Sequence, residues 1–472
     1  MPWAHKFTHK NPKTAAFLLG GFSALGFAPL YLWPISLLCL AVFFKFTFAQ
    51  NAQNPHPVKL AAVLGWFFGF GFSLASLWWM GGAFRYTNSG WWAIASAPFV
   101  ITALAGVMGL WYGAVMGLAS RFCLKCALAL HPLIIATLWA TMEALRTLSV
   151  YGLPWHLFGY VFAGNLYLIQ PAAFGTVIFL SFLGVLFAAA GAYKTQKSAW
   201  IYGICVLCVF GVGALRVHTA PPLKPIAQAT LYQTSLQQDT KWNTHAYSLA
   251  QRTFETLKHT PNQTDLIILP ETVFTFLIQA MPDLPDVIDN LTPSKASTVY
   301  GIPSFDGKHY YNAAISTSGT GKALGVFDKK LLVPFGEFIP MQTLLPNFFR
   351  QFTPANAYSP GITKRHLETS AGEALPVICY EAIFPYHILR AKRKHAPDFI
   401  VNLTNDAWFA GTSGPYQHFA IARLRSVETG LSQVRATNRG ISAFIDGYGR
   451  IQKRTKIEHS GYYSSSIFEQ IK

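Results

Sequence analysis

Seven apolar stretches crowd the part of the chain before residue 218, and none follows it. They run over about residues 13–29, 33–48, 60–80, 92–118, 127–150, 167–193 and 199–215. Each has or approaches the roughly 20 apolar residues that cross about 30 Å of hydrocarbon. Lipid offers backbone N–H and C=O groups no partner, so such runs are confined to helices that satisfy themselves. The pattern predicts a polytopic α-helical membrane domain over residues 1–218. The first two stretches are short and joined by Leu30-Tyr31-Leu32, which suits a tight hairpin. Charged residues make up 12% of the 472, about half the usual soluble value, and the deficit lies almost wholly in this part.

The loops give the expected orientation. Lys6, Lys10 and Lys13 precede the first stretch, and Lys45 and Lys59 lie between the second and third. Arg121 and Lys125 follow the fourth, and Lys194 and Lys197 the sixth, whereas the alternate loops carry only Arg85, plus Arg146 near a helix end. The positive-inside rule then puts the N-terminus in the cytoplasm. Seven crossings would leave everything after residue 215 outside, on the periplasmic side of a bacterial inner membrane. The net charge of +17 fits Lys and Arg at helix ends facing anionic lipid, and no zinc-finger, helix-turn-helix or RNA-binding signature accompanies it. No nucleic-acid partner is expected.

Within the apolar half, Glu143 and Arg146 are spaced i, i+3 and are expected as a structural pair on one helix face. Trp78, Trp79, Trp91, Trp92 and Trp155 read as interfacial anchors. Cys123-x-x-Cys126 and Cys205-x-x-Cys208 have metal or redox spacing, but no second ligand pair follows, and cysteine suits apolar helices as a small hydrophobe. No metal site is expected there.

A Pro-rich linker, residues 219–225, ends the helical pattern. After it come short β-rich runs at 227–233, 266–270, 298–303, 312–317, 376–380, 399–403 and 440–446, with helical patterns at 246–257 and 419–428. Strands alternating with helices predict an α/β layered domain over residues 226–472. It holds a single cysteine, Cys379, and so no internal disulfide.

Cys379 ends the run Leu375-Pro376-Val377-Ile378, Glu271 ends Leu266-Ile267-Ile268-Leu269-Pro270, and Lys329 opens Lys329-Lys330-Leu331-Leu332-Val333-Pro334-Phe335-Gly336-Glu337. A thiol becomes a good nucleophile once something takes its proton. A carboxylate at a strand edge suits that base, and an ammonium suits the oxyanion of a tetrahedral intermediate. Glu337 is placed to orient the amine. Singly, each has an ordinary reading: a solvated edge carboxylate, a surface basic pair, a buried inert thiol. His418, the rival ligand or base, reads better as a packing or hydrogen-bonding residue.

Order and flanking sequence make the pattern specific. Glu271, Lys329 and Cys379 resemble the Glu-Lys-Cys triad of the nitrilase superfamily. Lys329-x-x-Leu332-Val333-Pro334-Phe335-Gly336-Glu337-Phe338-Ile339-Pro340 resembles a narrower family, the apolipoprotein N-acyltransferases. So do Asn405-Asp406-Ala407-Trp408-Phe409, Gly414-Pro415-x-Gln417-His418, Ile421-Ala422-Arg423-x-Arg425 and Arg435-Ala436-Thr437-Asn438-x-Gly440-Ile441. The resemblance covers about residues 14–450. It implies an αββα sandwich attached to a helical membrane domain. It implies ping-pong transfer of an acyl chain from a phospholipid such as phosphatidylethanolamine, through a Cys379 thioester, to the N-terminal amine of a diacylglyceryl apolipoprotein. It gives Glu271 the role of base and Lys329 that of oxyanion stabiliser. Glu337, Tyr380 and Glu381 are placed around the thiol, and Trp242, Asn312, Asn405 and Trp408 on the substrate side. The expected molecule is a monomer that needs no cofactor or metal. Apolar loops, residues 335–349 with Trp408-Phe409, are expected to keep water from the thioester. The family adds one more membrane span after the catalytic domain, which this chain lacks, and often has His where Leu331 stands. A membrane-anchored amidase and a silent lipid- or lipoprotein-binding paralogue are the rival readings.

Overall fold

The computed structural model describes residues 11–52, 54–86, 90–193, 197–292, 296–339 and 357–471. They fall into two compact units. One comprises the chain up to Phe84 together with Trp91–Ala220; the other comprises Pro221 onward together with Arg85–Gly90.

The first unit is helical: α1 (Pro12–Ser23), α2 (Trp33–Asn51), α3 (Pro57–Leu77), α4 (Trp91–Cys123), α5 (His131–Arg146), α6 (Ala172–Ala192) and α7 (Lys197–His218). Among the described residues, six helices are long and apolar enough to cross a membrane. The first expected span differs: α1 has 12 residues, about 18 Å at 1.5 Å per residue. It nevertheless packs tightly on α3 through small residues. A Cβ on Gly20 would stand 2.0 Å from Phe68 O, and one on Gly71 2.1 Å from Phe17 O. Such close approach is the usual means of helix packing in lipid, where burial gives no extra attraction. Of the loop cations used for orientation, Lys6, Lys10 and Lys194 lie outside the described residues.

Two expectations for this unit are corrected. Glu143 and Arg146 are both fully buried, but each takes its own partners. Glu143 Oε1 accepts from Trp139 Nε1 at 2.9 Å and Phe158 N at 2.8 Å. Arg146 donates to Gly152 O at 2.9 Å and Leu153 O at 2.7 Å. The backbone following α5 outcompetes the neighbouring side chain. Trp79 and Trp155 are buried and pack ring to ring, 4.8 Å between centroids, so they belong to the core; Trp78, Trp91 and Trp92 remain exposed. The cysteines are free thiols.

The second unit has two six-stranded sheets. The first sheet contains β1 (Pro225–Gln233), β2 (Leu266–Ile268), β3 (Ser297–Phe305), β4 (Tyr310–Thr317) and β5 (Ala323–Asp328). The second contains β6 (Leu367–Thr369), β7 (Gly372–Ile378), β8 (Phe399–Asn405), β9 (Ser432–Asn438), β10 (Ala443–Ile445) and β11 (Ile451–Arg454). The last strand, β12 (Gly461–Phe468), returns to the first sheet and pairs antiparallel with β1. The helices here are α8 (Gln238–Asn243), α9 (Ala246–Leu257), α10 (Leu284–Leu291), α11 (Pro385–His395) and α12 (Gly414–Thr429).

Strand side chains alternate between faces, and the alternation builds the layers. Ala229, Leu231, Leu266 and Ile268 of one sheet meet Ile378, Phe399, Val401 and Leu403 of the other in a shared core. Ile267 points the opposite way, toward Ala250, Leu257, Leu284 and Ile288 of α9 and α10. Ile400 likewise joins Ile388, Ala391 and Ala422 of α11 and α12. Helix, sheet, sheet, helix is the expected αββα sandwich.

Strand direction then gathers the chemistry. β1, β2 and β3 are parallel, and two antiparallel steps bring β5 back to the same direction. β7, β8 and β9 are parallel, and Thr234 pairs parallel with Asn438 across the seam between the sheets. The C-terminal ends of β2, β5, β7 and β8 therefore open on one edge of the sandwich, where α/β folds bind ligands.

Candidate active site

Each triad residue lies at one of those ends. Lys329 follows β5 directly, Cys379 follows β7 directly, and Glu271 lies just beyond β2. Lys329 is 1% exposed. Its Nζ donates to Glu337 Oε1 at 2.8 Å and to Glu271 Oε1 at 3.2 Å. Asn312, on β4, bridges the same carboxylates through Nδ2, at 2.7 Å from Glu271 Oε1 and 3.1 Å from Glu337 Oε1. Glu337 Oε2 accepts from Val333 N at 2.8 Å, which folds the motif back on itself. Burial alone would pull the Lys329 ammonium down, but Glu271, Glu337 and Cys379 hold it well above the usual lysine value. It stays charged, which suits it to face a developing oxyanion.

Cys379 is partly exposed and has φ +49°. A non-glycine residue in that left-handed region carries strain of about 1–3 kcal/mol that its surroundings must hold. Two buried carboxylates do so. Glu381 accepts from Ile378 N at 2.9 Å, from Lys330 N at 3.0 Å, and from both ends of Arg365 at 2.6 and 2.8 Å. It thereby ties the thiol's turn to the Lys329 loop. Burial would raise its pKa, yet Arg365 and the backbone donors leave it below the usual value. Asp406, at the end of β8, pairs with His418 Nδ1 at 2.7 Å and Arg435 at 3.0 Å, and His418 Nε2 meets Cys379 O at 3.1 Å. His418 thus serves as a hydrogen-bonding residue behind the Cys379 turn.

Burial pushes the Cys379 thiol well above its ordinary value. Glu271 and Asp406 add to this, while Lys329 and a backbone bond involving Asn405 oppose it. A thiol held protonated needs a base at the moment of attack, and Glu271 is the carboxylate coupled to it and to Lys329.

The supporting residues divide. Glu337 and Asn312 join the triad's hydrogen-bond network, and Glu381 braces it. Tyr380 is buried, with its ring edge-on to Phe384 at 5.2 Å, so it packs beneath the turn. Asn405 is buried and bonded to Gln238 at 2.8 Å and Asn438 at 2.9 Å, a structural knot between α8, β8 and β9. Trp242 is 47% exposed on α8, and Trp408 is partly exposed. Phe335 is 64% exposed; Leu344, Leu345, Phe348 and Phe349, expected beside it as apolar cover, lie outside the described residues.

Sequence reasoning missed Lys241 and Arg365. Lys241 Nζ donates to Glu271 O at 3.1 Å and Thr272 Oγ1 at 2.6 Å. Its only sequence signal was its place beside Trp242. Arg365 stands in an unremarked polar stretch, and nothing local marks it as the partner of Glu381.

Comparison with known proteins agrees with both units. The model of the apolipoprotein N-acyltransferase N-terminal domain matches residues 19–190, and that of the carbon-nitrogen hydrolases matches residues 226–464. An apolipoprotein N-acyltransferase of Rickettsia prowazekii is 32% identical over 495 residues, covering 97% of this chain and 92% of the relative. One of Rhodopseudomonas palustris is 31% identical over 481 residues, covering 96% and 88%. Among solved structures, the nitrilase-superfamily protein Nit3 of Saccharomyces cerevisiae covers 52% of this chain and 93% of its own, with TM-score 0.38 and 17% identity.

Proposed function

The chain belongs to the apolipoprotein N-acyltransferase family, and on that premise we propose that it moves an acyl chain from a phospholipid, with phosphatidylethanolamine the expected donor, to the N-terminal amine of a diacylglyceryl-cysteine. The observation that carries this reading is Lys329, buried between Glu271 and Glu337 and coupled to the Cys379 thiol.

In the first half-reaction Glu271 takes the thiol proton as Sγ attacks the ester carbonyl. Lys329 offsets the negative charge that gathers on the carbonyl oxygen. When the tetrahedral species collapses, the C–O bond breaks, Glu271 returns its proton to the leaving alkoxide, and lysophospholipid departs. The thioester on Cys379 keeps the acyl-transfer potential. In the second half the acceptor amine attacks the thioester, Glu271 takes the amine proton, the C–S bond breaks, and the thiol recovers a proton. The product is an amide. Both substrates are lipids, so the reading places the protein in the bacterial inner membrane as a monomer, with its catalytic unit on the periplasmic side.

The test is intact-mass analysis of the purified chain incubated with phosphatidylethanolamine. A hydroxylamine-labile acyl adduct is expected on the wild type and not on Cys379→Ala. A diacylglyceryl peptide should discharge it. No adduct on folded protein would sink the proposal, and discharge by water alone would favour the rival hydrolytic, amidase-type reading.

A further inference from the structure

We propose that Lys241 is a positioning residue of this centre, a buried amine that holds the turn carrying Glu271. The proposal rests on the acyl-transfer reading only where transfer itself is measured.

Lys241 sits on α8 and is 1% exposed. Its Nζ bonds to the carbonyl of Glu271 and the hydroxyl of Thr272 span the turn just after the base. Thr272 has φ +45°, a conformation that L side chains rarely adopt. That turn lies close against β3, because Gly301 has no side chain: a Cβ there would stand 2.4 Å from Thr272 N and 2.7 Å from Glu271 Cα. The direction of the Glu271 side chain is thus set by the β3 backbone and by the lysine.

A neutral donor would make the same two bonds with a smaller desolvation penalty, so the charge needs its own reason. Lys329 is already shared by two carboxylates. Lys241 interacts with both Glu271 and Cys379. Proton transfer between those two moves one negative charge from carboxylate to sulfur, and a charged donor fixed on the Glu271 turn stays in place through that step. Burial brings Lys241 down to about 8, against the pull of Glu271 and Cys379, so its charge is lost over an accessible range. Among the described residues, the other ionisable groups of the centre include Lys329 and Glu337 beyond β5, Tyr358 coupled to both, Glu381 and Arg365 bracing the Cys379 turn, and Asp406, His418 and Arg435 behind the thiol.

The experiment uses the full chain in phospholipid–detergent micelles, with Lys241→Met and Lys241→Arg. Two rates are measured from pH 6 to 9.5: alkylation of Cys379 by iodoacetamide, resolved by peptide mass spectrometry, and adduct formation from phosphatidylethanolamine. Lys241→Met is expected to slow Cys379 alkylation at neutral pH by about tenfold or more and to remove the inflection near 8. It should lower kcat for adduct formation while the donor KM moves by less than about threefold. Lys241→Arg, always charged, should keep more of the rate and also lose the inflection. Wild-type rates in both variants would overturn the proposal. So would equal losses in both with an unchanged pH profile, which would make Lys241 a packing residue. If Lys241→Met does not fold, Lys241→Arg decides alone, and an inflection kept near 8 overturns the proposal. Altered alkylation without any lipid adduct in the wild type would instead sink the acyl-transfer reading and leave Lys241 its role.

Discussion

Asn312 shows how much one neutral side chain can settle. Its Nδ2 touches both Glu271 and Glu337, while its Oδ1 is a buried acceptor without a hydrogen-bond partner among the described residues. Removing Nδ2 leaves two carboxylates sharing Lys329 alone. Asn312→Ala is expected to reduce the rate of thioester formation by roughly 10- to 100-fold, the equivalent of about 1–3 kcal/mol for a lost buried partner. Intact-mass time courses would show it, and a rate within twofold of wild type would remove Asn312 from the site. His418→Ala belongs to the same scale. It takes a buried hydrogen-bond partner from both Cys379 O and Asp406, and a buried polar group left unsatisfied costs about 1–3 kcal/mol. The expected outcome is a lower melting temperature together with slower Cys379 alkylation. Loss of stability with an unchanged alkylation rate would show that the strained thiol turn holds without the histidine. At this scale motif order and flanks singled out Glu271, Lys329 and Cys379, which the structure gathers at strand ends on one edge of the sandwich. The sequence did not carry Lys241 or Arg365, whose roles exist only once α8 meets the Glu271 turn and β6's approach meets the Cys379 turn.

At the scale of elements, the site is a set of strand ends held in register by buried ionic contacts. Glu381 buckles the loop after β5 to the turn after β7, and its pKa lies below the usual carboxylate value. A depressed folded-state pKa means that its stabilisation is fully present above the unfolded value, about 4.3, and is lost as pH falls through the folded one. Glu381→Gln should therefore lower the melting temperature markedly at pH 7, and the gap to wild type should narrow below about pH 4. A gap that stays constant with pH would refute an ionic role. Gly301→Ala tests the same layer through sterics: overpacking of this kind costs about 1–3 kcal/mol, and it should displace Glu271 enough to slow thioester formation. Strand by strand, short β-rich runs exposed β1, β2, β3, β4, β7, β8 and β10. β9 escaped them, although it is buried throughout, because polar Gln433, Arg435 and Thr437 occupy it, the last two hydrogen-bonded to Asn402, Thr404 and Gln233. β11 and β12 escaped for the opposite reason: Ile451–Arg454 is largely exposed, and Gly461–Phe468 is half-buried and serine-rich, so neither shows a clean apolar face.

At the scale of the whole molecule, two kinds of order sit in one chain, and the sequence marked their boundary by the end of the long apolar stretches, a rise in charge density and a Pro-rich linker. Inside the helical unit Glu143 and Arg146, expected as a structural pair, take separate hydrogen-bond partners. Arg146 spends its guanidinium on Gly152 O and Leu153 O, and Gly152 itself lies against the end of α5, where a Cβ would stand 2.0 Å from Arg146 O. In an apolar setting each carbonyl deprived of its donor keeps the full desolvation penalty, about 1–3 kcal/mol. Arg146→Leu is thus expected to destabilise the helical unit by a few times that unit of cost, seen as an earlier thermal transition in detergent. The core of the αββα unit is built from its own strands and helices, so alkylation of Cys379 below that transition should stay within about twofold of wild type. A parallel fall in alkylation would show instead that the thiol's geometry depends on the fold of the helices, and an unchanged transition would mean that the two carbonyls find other donors.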